Sequence, residues 1–318
     1  MKELTCFTLS VLQELEDEGR FGTAHVYRST LRTFIVYWHE HHAGRTIPMK
    51  AVFTPASLKD FERHMQERML RMNTISTYMR MLRAIYYRAL KKGFVLYVPG
   101  LFDHVYTGTR ADTKRALPPA DMGQLLNVKP TKEHKLAEAQ IWFALLFLLR
   151  GMPFADLARL RKCDLQEGII TYRRQKTGRP LTVRLTPQAA ELIRSCADCR
   201  PESPYLLNIL WDDNKSNHAP IGSLEEYHRY QNVLRNFNWR LKKLAITLGI
   251  PTRISSYAAR HTWATIAYHK KCAVGIISNA LGHSSVKVTE TYLKPFDNDE
   301  LDKTNRMIIA YTKKHIFI

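Results

Sequence analysis

The sequence predicts a mainly α-helical protein of two domains with one small antiparallel β-sheet. Three observations point there. Apolar residues recur at helical spacing through the N-terminal third. The periodicity lapses between residues 103 and 120, where Gly108, the pair Pro118-Pro119 and three basic residues give the composition of a linker. Beyond it, "GIITYRRQKTGRPLTVRL" sets two β-branched runs on either side of "KTGRP" and reads as a hairpin with Lys176 at its turn. A length of 318 residues suits two domains of roughly 100–200 residues each. The expected division is a helical domain over 1–110, a linker over 111–118 and a mixed, mostly helical domain over 119–318.

Each element has its own signal. "STLRTFIVYWHEH" carries Leu31, Phe34, Ile35 and Trp38 at helical spacing, and "NTISTYMRMLRAIYYRALKKG" carries Ile75, Tyr78, Met79, Leu82, Ile85, Ala89 and Leu90. Gly93 closes the second helix, with Lys91 and Lys92 in its last turn. On the arc opposite its apolar positions lie Ser76, Arg80, Arg83, Tyr87 and Lys91. In the second domain, "DMGQLLNV" starts a helical region, and "HKLAEAQIWFALLFLLRGM" is apolar enough to be a buried central helix. Pro153 disfavours helical geometry at Met152, so that helix is expected to end near Gly151. Helical patterns resume after the hairpin at 187–196, around 224–248 and at 256–269, and "NDELDKTNRMIIAYTKK" is a last amphipathic helix.

Charge is the strongest global signal. Lys and Arg number 48 against 29 Asp and Glu, a net charge of +19, which favours a polyanionic partner, nucleic acid ahead of an acidic membrane surface. From Arg68 to Phe102 there are seven basic residues and no acid. Solvated helix faces mix charge signs, so the arc of Ser76, Arg80, Arg83, Tyr87 and Lys91 reads as a DNA-facing surface. The longest apolar run, "IWFALLFLL", falls short of the ~18 residues of a membrane span, and the N-terminus does not begin a signal peptide. A cytoplasmic, nucleoid-associated protein is expected. Its five cysteines, at unrelated spacings, suggest no disulfide framework, and Cys196-x-x-Cys199 lacks a second ligand pair. No metal and no cofactor are expected.

The stretch "LGHSSVKVTETYL", residues 281–293, places Tyr292 nine residues after His283. Alone, such a tyrosine reads as a buried anchor. Other elements change that reading: Arg150 ends a buried helix, Lys176 sits on the hairpin turn, and "SYAARHTWAT" carries Arg260, 23 residues before His283. With these spacings the chain resembles the tyrosine recombinase (phage-integrase) family over most of its length. Its linker, "RGMPFADLARLRKCDL" and "YAARHTWAT" look most like the branch on Bacteroidetes mobile elements and invertible DNA switches. The resemblance implies a helical core-binding domain followed by a mixed α/β catalytic domain. Its tail helix, with Leu301, Met307, Ile308 and Ile309, would then dock on a neighbouring protomer.

Implied roles follow the chemistry of phosphodiester exchange. Tyr292 is the nucleophile and forms a 3′-phosphotyrosyl intermediate that conserves the bond's energy. Arg260 binds nonbridging oxygens with forked donors, Lys176 protonates the leaving 5′ oxygen, and His283 hydrogen-bonds the phosphate. The partners implied are double-stranded recombination sites, a homotetramer on DNA and accessory DNA-bending proteins.

Two positions depart from the family pattern. Tyr257 stands where His-x-x-Arg has its histidine, and a phenol of pKa near 10 is a poor base but a serviceable donor. Aligned on Asp156, the slot of the first arginine holds Pro153. Arg150 lies three residues earlier, about 60° around and ~4.5 Å along a helix, and is expected to fill the slot; the other reading is that it caps the helix through its dipole. These departures keep open a catalytically degenerate DNA-binding regulator. A type IB topoisomerase shares the chemistry but not the basic helical N-terminal domain.

Overall fold

The computed structural model describes residues 3–44, 46–110, 115–127, 133–211, 219–290, 293, 302 and 305–310. It divides into two units, one of Met1–Asp112 with Pro220–Tyr227, the other of Thr113–Ala219 with His228–Ile318.

The N-terminal unit is built from α1 (Leu4–Asp17), α2 (Phe21–His41), α3 (Met49–Val52), α4 (Pro55–Glu67) and α5 (Met72–Lys91). Local chemistry sets the boundaries. The Glu3 carboxylate accepts from the Cys6 N–H at the start of α1, and the Thr54 hydroxyl accepts from the Ser57 N–H, with Pro55 as the first residue of α4. Gly93, at φ 69°, turns the chain out of α5. Phe7, Leu31, Phe34, Phe61, Met79, Leu82 and Tyr86 form one core, with Phe34 and Phe61 edge to face at 4.8 Å. A buried carboxylate ties down the chain that follows α5: Glu62 accepts from the Tyr106 N–H at 2.7 Å and pairs with Lys59.

That segment corrects one expectation. Helical spacing puts Ser76 on the arc of Arg80 and Tyr87, yet its side chain is fully buried and its hydroxyl donates to the Gly108 carbonyl at 2.5 Å. Asn73 clamps the next residues through the N–H and C=O of Arg110. Residues 106–110 therefore cover the first turns of α5, and Ser76 is not part of an open face. Arg80, Tyr87 and Lys91 are exposed and Arg83 is half-buried.

The C-terminal unit contains α6 (Pro119–Leu126), α7 (His134–Leu148), α8 (Phe154–Leu157), a 3₁₀ turn (Lys162–Asp164), β1 (Leu165–Gln166), β2 (Ile169–Arg173), β3 (Pro180–Arg184), α9 (Pro187–Ser195), α10 (Leu224–Thr247), α11 (Ala258–His269), α12 (Val274–Leu281) and α13 (Val286–Glu290). The first residues of α10 fall in the segment grouped with the N-terminal unit. The sheet is antiparallel in the order β1-β2-β3, with Ile170 opposite Val183 and both buried. The fold is thus mainly α with a small antiparallel sheet, as the periodicities predict. Helix α7 is the central element: Trp142, Phe143, Leu145 and Leu146 pack in one core with Phe154, Phe237 and Leu241, and Phe154 stacks on Phe237 at 4.6 Å.

Helix α7 stops at Leu148, earlier than expected. Two left-handed residues in succession, Arg150 at φ 60° and Gly151 at φ 68°, turn the chain before Met152 and Pro153. Gly151 is needed there, because a Cβ would come within 3.1 Å of the Arg260 Cα. Among the described residues, no helix is long and apolar enough to cross a membrane.

Candidate active site

Arg260 occupies the first turn of α11 and is 2% exposed. A buried guanidinium must have its donors matched, and the surrounding turns supply carbonyls. Arg260 donates to the Gly151 carbonyl at 2.8 Å and to the Leu281 carbonyl at 2.6 Å. Its Nη2 also lies 2.8 Å from His283 Nε2.

The "LGH" stretch forms this contact. Helix α12 ends at Leu281, and Gly282 follows at φ 65°. A Cβ on Gly282 would lie 2.9 Å from Leu181 Cδ1 and 3.2 Å from Arg174 Cγ, so glycine both permits the turn and lets the hairpin close on it. His283 is consequently 6% exposed. Burial pushes its pKa down to about 3, assisted by the charges of Arg260, Arg174 and Lys176. Its Nδ1 is 2.8 Å from the hydroxyl of Thr289, which is fully buried on α13.

A second guanidinium joins the first. Arg174, 7% exposed, donates to the same Leu281 carbonyl at 2.6 Å. Its Nε is 3.1 Å from Asp156 Oδ2, and Asp156 Oδ1 accepts from the Gln175 N–H at 2.9 Å. Burial holds the Asp156 carboxyl above its ordinary range, against the opposing pull of the Gln175 N–H and the Arg174 charge. The hairpin turn is pinned at its other end by Arg179, which donates to the His283 carbonyl at 2.7 Å and to Asn279 Oδ1 at 2.9 Å. Lys176 projects from this turn into solvent, near enough that its charge bears on His283.

The predicted residues sort as follows. Arg260 and His283 are in direct contact, and Lys176 is on the hairpin fastened to them. Tyr257 precedes α11, half-buried, with its ring edge-on to His261 at 5.3 Å. Arg150 is exposed, and its Nη1 donates to the Thr182 carbonyl on β3 at 3.2 Å; Arg174, not Arg150, shares an acceptor with Arg260. Neither expected reading of Arg150 describes this contact, which is made to the sheet. Tyr292 and Leu301 lie outside the described residues. Leu293 packs with Ala264, Ile277 and Leu281. Met307, Ile308 and Ile309 of the tail are exposed.

Arg174 had a signal in the sequence. Ile170, Tyr172 and Arg174 alternate on one face, and all three are buried; a period of two extended past the strand puts a cation on the core side. Thr289 had none, because its value lies in the direction α13 takes after the polar turn.

On the basic arc, Arg80, Arg83 and Lys91 have no carboxylate partner among the described residues. Other cations of the acid-free run do: Arg68 pairs with Glu40, and Arg88 and Lys92 share Glu14 of α1. Among the described residues one group has metal-ligating types together, Glu40, His41 and His64, with ligand atoms within 4.8 Å of one another. One Glu40 oxygen pairs with Arg68 at 2.5 Å and the other lies 3.7 Å from His64 Nε2.

A model of the phage integrase family matches residues 115–299, and one of the phage integrase SAM-like domain matches residues 3–99. The chain belongs to the phage integrase family. It is 31% identical over 164 residues to a tyrosine recombinase of Pseudothermotoga lettingae, covering 50% of each chain. It is 27% identical over 187 residues to tyrosine recombinase XerA of Thermococcus kodakarensis, covering 57% of this chain and 58% of that one. The chain thus spans about half the length of the curated relatives it matches. The Tn1549 transposon integrase, solved in complex with transposon right end DNA, shares the fold with a TM-score of 0.62 at 16% identity, covering 96% of this chain and 99% of that one.

Proposed function

We propose that this chain cuts and rejoins DNA at specific sites by tyrosine transesterification. The reading rests above all on the convergence of Arg260, Arg174 and His283 beside the hairpin that carries Lys176. Two guanidiniums held by backbone carbonyls are preorganised for the charge that spreads over nonbridging oxygens in the transition state. The Tyr292 oxygen attacks phosphorus and its proton passes to solvent. The P–O5′ bond breaks as Lys176 gives its proton to the departing oxygen, leaving the DNA joined to Tyr292 through a 3′-phosphotyrosyl bond. Reversal with a second 5′ hydroxyl reseals the strand. Metal and cofactor have no part in this scheme.

Arg174 takes the place of the arginine absent at Pro153, and Tyr257 serves as a donor to phosphate. The N-terminal unit grips the duplex with Arg80, Arg83, Tyr87 and Lys91. Strand exchange joins four copies on two sites, with the C-terminal helix docked on a neighbour and accessory proteins bending the DNA. Matches to a transposon integrase and the motif resemblance to Bacteroidetes-type elements favour integration and excision of a mobile element, or inversion of a segment.

A nicked suicide substrate tests the reaction. Wild type is expected to give a covalent protein–DNA adduct. Tyr292→Phe, which removes one oxygen and almost no volume, is expected to bind the site equally and give none. An adduct formed by the Phe variant refutes the nucleophile. No adduct from wild type, with site binding intact, establishes the non-catalytic regulator.

A further inference from the structure

We propose that Thr289 is a positioning residue that fixes the tautomer of His283, so that His283 acts as an acceptor aiming Arg260. The hydrogen-bond inventory leaves little choice. A guanidinium only donates, and Arg260 Nη2 lies 2.8 Å from His283 Nε2, so Nε2 must accept. The ring proton is then on Nδ1, 2.8 Å from Thr289 Oγ1, and the threonine hydroxyl accepts it. Each partner is buried: Arg260 is 2%, His283 6% and Thr289 0% exposed.

This assignment differs from the role that the sequence resemblance implies. An imidazole whose Nε2 accepts from Arg260 cannot donate to phosphate from the same atom. Its service is to accept one N–H of Nη2, the other going to the Leu281 carbonyl, while the Gly151 carbonyl holds Nη1. Thr289 makes this possible by engaging the other nitrogen. The donor-only guanidinium selects the Nδ1–H ring, and Thr289 secures it by accepting a buried proton that would otherwise be unmatched.

The arrangement also links two parts of the site. Thr289 is on α13, three residues before Tyr292 in the chain. The seating of α13 is thereby felt at Arg260 through His283.

The inference rests on the proposed recombinase reading for its catalytic consequence, but its chemistry is measurable without DNA. Long-range ¹H–¹⁵N correlations on the full chain, with the His283 signal assigned by its loss in His283→Gln, are expected to show a neutral Nδ1–H ring. Thr289→Ser is expected to keep that tautomer and to cleave within about 3-fold of wild type. Thr289→Val, of nearly equal shape, is expected to lose the fixed tautomer. Its cleavage should fall about 10²-fold, the scale for misplacing a reacting group by ~1 Å, with site affinity unchanged and the melting temperature lower only by the few degrees that one unmatched buried N–H costs. A wild-type Nε2–H ring, or one that titrates near 6.5, overturns the proposal. Equal losses in Ser and Val variants, or none in Val, overturn its catalytic part. If wild type forms no adduct, the recombinase reading fails, and the tautomer measurement alone still decides the role of Thr289.

Discussion

Removing Arg174 together with the charge of Asp156 separates a catalytic guanidinium from a structural one. If it binds the scissile phosphate, Arg174→Ala deletes a transition-state donor, and cleavage should fall by ~10²–10³-fold, or about 2.7–4 kcal/mol. The same change strands Asp156, which is 4% exposed and has the Arg174 Nε 3.1 Å away. Breaking one side of a buried pair costs about 3–5 kcal/mol, a fall in melting temperature on the order of 10 °C. A single variant therefore loses activity for two reasons at once.

The double variant Arg174→Ala/Asp156→Asn resolves them. Asparagine keeps an oxygen to accept the Gln175 N–H, bonded at 2.9 Å in the wild type, and removes the uncompensated charge. Melting temperature should recover most of its loss while adduct formation stays at least ~10²-fold down. Linkage gives a further check. The folded pKa of Asp156 is raised by burial, so its stabilising contribution is full below the unfolded pKa and is lost as pH rises through the folded one. Without Arg174 the pKa rises further, so the melting deficit of Arg174→Ala is smallest near pH 4 and grows toward neutrality. Arg150→Ala is the contrast, with cleavage expected within about 3-fold of wild type. If the double variant cleaves normally, or Arg150→Ala loses the ~10²-fold instead, the assignment of the second guanidinium is wrong.

Two further expectations concern DNA. Arg80→Ala and Lys91→Ala should each flatten the slope of log affinity against log salt by about 0.9, while Ser76→Ala leaves it unchanged; titrations at several salt concentrations check this, and unchanged slopes for both cations would make the face merely solvated. Truncation after Asp299 should leave single-site binding intact but impair pairing of two sites, as measured by gel mobility of the synaptic complex. Normal pairing by the truncated chain would remove the tail from the assembly.

Signals that act over one or two turns were legible in the sequence. The apolar stripe of α5, the hairpin at 169–184 and the glycine of "LGH" are all set by local geometry. Ser76 was misplaced because its azimuth is set by the helix but its burial by residues 106–110, which return over it from 32 residues away. The expectation for Arg150 requires a helix continued to Gly151, where three residues lie about 60° apart around the axis. Two left-handed residues abolish that relation, and periodicity gives no warning of them. The period of two puts Arg174 on the core side, but its partner Asp156 lies 18 positions earlier in the chain, beyond the reach of any local pattern.

Placing the second guanidinium on the hairpin has a mechanical consequence that an arginine at the end of α7 would not have. Lys176 is two residues from Arg174, and the N–H of the residue between them is held by Asp156 at 2.9 Å. One carboxylate thus sets the Arg174 side chain and the backbone next to Lys176 together. Arg179 fixes the far side of the same turn to the His283 carbonyl. A backbone movement of the turn that carries Lys176 also carries Arg174 and strains its bond to the Leu281 carbonyl, which Arg260 shares. Burying the Arg174 and Arg260 guanidiniums is costly in the absence of an anion. On the proposed reading a phosphate arriving with DNA offsets that cost, so the charge arrangement would favour an assembled site on DNA.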